Sequence, residues 1–248
     1  FTDSLLKECS KLDQYKFNIF YIMDSFSKDR TQEILENEFA NLINILYHKT
    51  STGLVSCYIY GYKHCIHLGL DYIVEMDSGF SHKPEHLHEF LQKLDNGCDA
   101  VFGSRFSAGS IYQTTLFRKM VSKFGTIMAN FWLNMDLPDA TSGYQAFKRR
   151  VVSGFNFDNF ISSGGMFQTE MKYYVYDKRK KEIESEYNKL SCLKYQFKKF
   201  FSKTIFPRAQ CYEYKIDHVS INFVMSETSF KLSWLWKGVN ILYRLKNN

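Results

Sequence analysis

Asp71-Tyr72-Ile73-Val74-Glu75-Met76-Asp77-Ser78-Gly79-Phe80-Ser81-His82-Lys83-Pro84-Glu85 reads as a strand, a polar turn and the start of a helix. The run to Met76 has strand character, and Pro84 sits where a helix tolerates proline, in its first turn. Leu87, Phe90, Leu91 and Leu94 then mark one helical stripe, Gly97 ends it, and Ala100 to Phe102 gives another strand. The same alternation extends upstream. Leu5, Leu6, Cys9 and Leu12 share a helical face, and Phe17 to Met23 suits a buried strand. A helix through Ile34, Leu35 and Phe39 follows, then a strand from Leu42 to Tyr47. A helix from Leu54 through Tyr58, Tyr62 and Ile66 closes at Gly69. This order predicts an α/β fold with a mostly parallel central sheet flanked by helices. Ligands of such sheets collect beyond the carboxyl ends of the strands, which places Asp24, Asp77 and Ser104-Arg105 on one rim.

Further on, Leu116, Met120, Phe124, Ile127, Met128 and Phe131 predict a long helix. Tyr214 to Phe223 reads as a strand and Leu232 to Leu245 as a closing amphipathic helix. Between them lies a different composition. From Asp177 to Lys215 there are eleven Lys or Arg against five Asp or Glu, a surplus of six that accounts for the whole net charge of +6. There Tyr195, Phe197, Phe200, Phe201 and Phe206 interleave with Lys194, Lys198, Lys199, Lys203 and Arg208. Such a mixture suits an anionic lipid surface, although a plain solvated helix has the same look; no recognised nucleic-acid module accompanies it. The last helix, with Trp234, Leu235 and Trp236 beside Lys231 and Lys237, repeats the theme. The expected division is a core over 1–176, a basic aromatic insertion over 177–212, and a strand and helix over 213–248 that complete the core.

Several classes are disfavoured. Hydrophobic residues at 45% and charged residues at 23% of 248 argue for a folded domain. The six cysteines form no CxxC pair, which reads as free thiols in a reducing compartment. No apolar run reaches the roughly 18 to 20 residues of a membrane span, and no signal peptide is visible. His64, His67, His82, His86 and His88 have no closed zinc spacing. Phosphate-loop, dinucleotide and nucleophile-elbow motifs are absent.

The carboxylate at the end of the strand is the chemical centre. Acids at a strand end can hold the divalent cation that neutralises a departing diphosphate, and an Asp there can equally cap a turn. Six blocks then follow one another in the order of a known family. The quoted stretch resembles MDADxSHxPE, and Ser27-Lys28-Asp29-Arg30-Thr31 resembles the tail of VDDGSxDxT. Gly103-Ser104-Arg105-Phe106 resembles GSRY, while Arg118 and Ser122 match an RxxxS helix. Asp139-Ala140-Thr141-Ser142-Gly143-Tyr144 is similar to DxTSGF, and Ser163 to Glu170 to SxGxxFQxE. The chain thus resembles the family 2, GT-A-type inverting glycosyltransferases related to dolichol-phosphate mannosyltransferase, from about residue 20 to 172.

The resemblance implies transfer of a sugar from a nucleoside diphosphate to a polyprenyl phosphate at the cytoplasmic face of a membrane, with Mg²⁺ or Mn²⁺. It implies catalytic roles for Asp77, Asp139 and Glu170, and substrate contacts for Asp24, Asp29, Ser104, Arg105, Arg118 and Gln168. The metal would fall to Asp77 and Ser81. The sequence also departs from the pattern. Gly79 replaces the second Asp of the metal motif, Ser25 and Phe26 stand in VDDGS, Ser51-Thr52-Gly53 in NxG, and His218-Val219-Ser220 in the late EVP. The family's first strand is expected to precede Phe1. Two alternatives stay open: a saccharide acceptor, for which Asp139 or Glu170 would be the base, and an inactive binding subunit.

Overall fold

The computed structural model describes residues 1–24, 29–188, 215–224 and 233–247. In chain order these form α1 (Thr2–Ser10), β1 (Phe20–Asp24), α2 (Thr31–Glu38), β2 (Asn44–His48), α3 (Leu54–His67), β3 (Tyr72–Glu75), α4 (Leu87–Asp95), β4 (Ala100–Ser104), β5 (Tyr112–Gln113), α5 (Leu116–Leu133), β6 (Gln145–Lys148), α6 (Arg149–Val152), α7 (Met166–Asn188), β7 (Ile216–Ser220), β8 (Phe223–Val224) and α8 (Ser233–Asn247). The basic aromatic stretch around Lys194 to Arg208 lies outside the described residues, as do Ser25 to Lys28, and nothing is said of the side chains of Trp234 to Trp236. Helix α7 continues past the expected core boundary at 176.

Four strands form the central sheet in the order β3-β6-β4-β7. Strands β4 and β7 are parallel, while β6 lies between β3 and β4 and runs antiparallel to both. Strands β3, β4 and β7 therefore share one direction, as the βαβα order predicts, and the sheet is mixed because of β6. Sequence reading places no strand over Gln145–Lys148: four residues, with a polar residue at each end, carry too little alternation to register. Among the described residues β1 and β2 form a separate parallel pair.

Alternation along the strands builds two layers. Ile73, Ala100, Phe102 and Phe147 pack on one face with Tyr62 of α3, Ala129 and Leu133 of α5, Phe167, Met171 and Val175 of α7, and Ile241, Leu242 and Leu245 of α8. Val101, Ala146, Val219 and Ile221 pack on the other with Phe90 and Leu94 of α4. Helix α4 forms as the sequence dictates. Leu87, Phe90, Leu91 and Leu94 are all buried, and Gly97 takes a left-handed φ of 93° so that Cys98 N–H closes onto Lys93 O at 3.0 Å. Helix α3 ties the β1–β2 pair to the rest, since a Cβ on its Gly61 would lie 3.3 Å from Ile22 of β1. Helix α5 sets its apolar stripe on the side away from the core. It buries Thr126, Ala129 and Leu133 and turns the Leu116, Met120, Phe124, Ile127 and Phe131 stripe outward.

Candidate active site

Beyond the end of β3 the chain turns sharply, with Phe80 at a φ of 60° and its ring edge-on to Phe1 at 5.5 Å. His82, almost fully buried, folds back under the turn. Its Nδ1 accepts the Asp77 backbone N–H at 3.0 Å, which requires a neutral ring there, and burial pushes its pKa down to about 4. The Asp77 side chain is 43% exposed. Its Oδ1 accepts the Tyr58 hydroxyl at 3.2 Å. Gly79 is open: a Cβ there would meet nothing within 4 Å.

Behind Asp77 lies a cluster that sequence reasoning missed. Glu75, on the Ile73 face of β3, is buried and accepts from three donors. Tyr62 Oη donates at 2.7 Å, Gln145 Nε2 at 3.0 Å and Gln168 Nε2 at 3.0 Å. Burial outweighs these bonds and raises the carboxyl to about 7. Gln145 is the direct partner of Glu75 across β6. Its Oε1 is buried without a partner among the described residues, so the amide is half satisfied. The signal available in the sequence is an acid at a period-2 position shared with buried Ile73.

Strand β4 ends at Ser104, whose buried Oγ accepts the Phe106 N–H at 3.2 Å, and delivers Arg105 into a nearly closed cage. Arg105 Nε and Nη2 donate to the two Asp139 oxygens at 2.7 and 2.9 Å, and the Arg105 backbone N–H adds a 3.1 Å bond. Nη2 also donates to Thr141 Oγ1 at 2.5 Å, and Nη1 to the Tyr112 hydroxyl at a long 3.5 Å. The rings of Phe106, Tyr112 and Phe223 lie 5.5, 5.0 and 5.2 Å from the guanidinium carbon. Burial alone would raise the Asp139 carboxyl, but the Arg105 charge and bonds bring it down to about 2. Lys172, fully buried on α7, donates to the backbone carbonyls of Asp139 at 3.1 Å and Ser142 at 2.7 Å. Its own burial lowers its pKa to about 8. It stands one turn after Gln168, beside the buried Phe167–Met171–Val175 stripe, which is the only trace it leaves in the sequence. Gly143 is needed between these groups, because a Cβ there would come 3.3 Å from the His82 ring and 3.4 Å from Gln168.

The remaining expected residues are spread around this centre. Gln168 is brought to it through Glu75. Glu170 is fully buried and its oxygens accept the backbone N–H groups of Ile161 at 3.0 Å and Ser162 at 2.9 Å, so it fastens the loop before α7. Asp29 accepts the Thr31 N–H at 3.0 Å and sets the turn into α2. Arg118 sits in the first turn of α5, its N–H on the capping Thr115 hydroxyl at 3.4 Å. One turn later Ser122 bonds the same Tyr112 hydroxyl that Arg105 reaches, at 3.2 Å. Asp24 closes β1; burial raises the Cys57 thiol of α3, and the Asp24 charge adds a smaller push in the same direction. Ser81 is buried. Among the described residues no three His, Cys, Asp or Glu side chains form a metal-sized cluster. Asp77 offers a single accessible carboxylate. That set fits a hard cation completed by substrate phosphate and water, and does not form an all-protein cage.

The chain is 31% identical over 155 residues to undecaprenyl-phosphate mannosyltransferase of Micrococcus luteus, covering 61% of this chain and 63% of that protein. It is 29% identical over 157 residues to polyprenol monophosphomannose synthase of Mycolicibacterium smegmatis, covering 61% and 59%. The chain thus matches about three fifths of the length of each. Among solved structures, glucosyl-3-phosphoglycerate synthase of Mycobacterium tuberculosis with Mn²⁺, uridine diphosphate and phosphoglyceric acid superposes with a TM-score of 0.58 at 13% identity, over 98% of this chain and 72% of that one. That likeness concerns the fold alone. The model of glycosyl transferase family 2 matches residues 2–155, more than half of the sequence, and the chain belongs to that family.

Proposed function

We propose that this protein transfers a sugar, with inversion, from a nucleoside diphosphate to a polyprenyl phosphate. The observation that carries the choice of acceptor is the state of Asp139 and Glu170, the two carboxylates that a saccharide acceptor would need as base. A saccharide hydroxyl must lose a proton as it attacks, so it needs a general base. Asp139 is paired with Arg105 and held near pKa 2, and both Glu170 oxygens hold backbone amides. Asp139 is therefore not placed to take a proton at neutral pH, and Glu170 is committed to the loop before α7. A phosphate monoester is already an anion and needs no such base. Both bacterial relatives carry polyprenyl phosphate or polyprenol phosphate chemistry in their names, which supports the same reading.

In this scheme the acceptor phosphate oxygen bonds to the anomeric carbon as the bond from that carbon to the diphosphate breaks. Arg105 directs its Nη1 side, which carries only the long bond to Tyr112, at a phosphate oxygen, and Arg118 serves a second one. Asp77, with Ser81 on the same turn, would hold a divalent cation, which when bound neutralises diphosphate charge. Tyr58 and His82 fix the Asp77 carboxylate and its backbone. Asp24 borders the nucleotide side, and the protein works at a membrane surface.

The test is incubation of purified protein with a panel of radiolabelled nucleoside diphosphate sugars, mannose donors first, with polyprenyl phosphate and Mg²⁺ or Mn²⁺. Label should move into the organic phase and stay in the aqueous phase with Asp77→Ala. Label on a free saccharide instead, or no transfer with any donor, would sink the proposal in favour of the saccharide or non-catalytic readings.

A further inference from the structure

Helix α5 presents an apolar face that the fold does not use. At 100° per residue, Leu116, Met120, Phe124, Ile127 and Phe131 fall within an arc of about 80°. Each of these five side chains is between 54% and 77% exposed. The opposite side carries the buried Thr126, Ala129 and Leu133, so the orientation is fixed by the core. Ile111, beside β5, is 53% exposed and extends the patch beyond the start of the helix. Single exposed apolar residues need no explanation, but a continuous row of five along one helix does.

The charge on the same helix selects the occupant. Its eighteen residues hold Arg118, Lys119 and Lys123 and no Asp or Glu. Lys119 and Lys123 border the apolar arc on one side, with their ammonium groups over Tyr112 at 5.9 Å and Phe106 at 4.9 Å. Aromatic and aliphatic residues edged only by cations match the headgroup level of an anionic bilayer. The helix is about 27 Å long, and no described helix is long and apolar enough to cross a membrane, so α5 would lie in the plane of the surface. The row also starts at the site: Leu116 is two residues before Arg118, and Ser122 shares Tyr112 with Arg105. On the reading of the site as a lipid-phosphate transferase, this continuity brings the acceptor's phosphate to the arginines while its chain stays in the bilayer. We infer that the outward face of α5 is the surface by which this protein docks on anionic membrane.

The test is co-sedimentation of the full chain with vesicles of phosphatidylcholine containing one fifth phosphatidylglycerol, against pure phosphatidylcholine. The variant Met120→Ser/Phe124→Ser/Ile127→Ser changes only exposed positions, and its circular dichroism and melting should match the parent. Its partition onto anionic vesicles should fall at least tenfold. Lys119→Gln and Lys123→Gln should each cost about fivefold on anionic vesicles and little on neutral ones. Transfer to a short-chain, water-soluble polyprenyl phosphate should be unchanged in the triple variant. Equal vesicle binding by parent and triple variant would overturn the inference. So would a parent dimer that the triple variant converts to monomer with vesicle affinity unaltered, or loss of binding only when residues 189–214 are removed. Vesicle binding is read without turnover, so absence of transfer in every protein would count against the proposed function and leave the docking result standing.

Discussion

Replacing Glu75 by Gln tests the buried cluster behind Asp77 most directly. The substitution keeps shape and volume and removes only the ionisation. Raising a carboxyl from its ordinary 4.5 to about 7 corresponds to about 3 kcal/mol at 1.36 kcal/mol per pH unit. The sign follows from proton affinity. The folded chain holds this proton more tightly than the unfolded one, so the contribution is full below pH 4.5 and is lost as the pH rises through about 7. Glu75→Gln has no such loss. Urea denaturation followed by tryptophan emission at pH 5, 6, 7 and 8, without donor or divalent cation, gives the stability of both proteins. The difference between variant and parent should move by about 2.5 kcal/mol in favour of the variant from pH 5 to pH 8, the rest of the loss falling below pH 5. It is the slope that carries the test, because Gln also exchanges one acceptor for a donor and shifts the whole curve by a constant. Parallel curves, differing by less than about 0.5 kcal/mol across the range, would refute the assignment of a raised pKa to this carboxyl.

Asp139→Asn leaves Arg105 buried without its counter-charge and should cost about 3–5 kcal/mol, read by the same denaturation. Arg105→Met/Asp139→Leu should recover much of that stability and still fail to transfer sugar. Gly79→Asp places a second carboxylate beside Asp77 in open space, and should tighten Mn²⁺ binding severalfold by calorimetry in the presence of nucleoside diphosphate. Unchanged Mn²⁺ affinity would mean that Asp77 does not face the cation. Tyr58→Phe removes the hydroxyl on Asp77 Oδ1 and should lower kcat/KM by about two- to tenfold, with the melting temperature within a few degrees of the parent.

The parts of the molecule that repeat could be read from the sequence. Helix α4 shows its stripe and its closing glycine where the pattern puts them, while Pro84 opens a 3₁₀ turn, Pro84–His86, that leads into the helix. Strand β6 could not be read, because its pairing between β3 and β4 is a long-range choice that four residues do not encode. Helix α5 was legible as a helix but not in its facing. A continuous apolar stripe ordinarily marks the core side, and here Thr126, Ala129 and Leu133 take that place. The blocks around Asp77, Arg105 and Asp139 locate the site. Tyr58, on the Asp77 carboxylate, and Lys172, on the Asp139 carbonyl, lie in other elements, and only the fold brings them there.

On the proposed function, the polar centre also accounts for different roles of Arg105 and Asp139, although they form one pair. Asp139 accepts from Arg105 through three N–H groups, from the Thr141 N–H at 3.0 Å and from the Thr141 hydroxyl at 3.2 Å, which uses its lone pairs fully. A guanidinium has five N–H donors. Asp139 and Thr141 take three of them, and the Nη1 side retains one long bond to Tyr112. The pair therefore occupies the carboxylate and only orients the guanidinium. An anion arriving at Nη1 would meet a cation whose position is set by a carboxylate on one side and by three aromatic rings around it. Little ordering cost would remain to be met on binding. Lys172 makes the arrangement stricter, since its ammonium holds the Asp139 and Ser142 carbonyls and would oppose any outward swing of the loop. On the proposed function, a site built this way suits recognition of a phosphate by a fixed arginine, and it leaves Asp139 unable to serve a neutral acceptor as base.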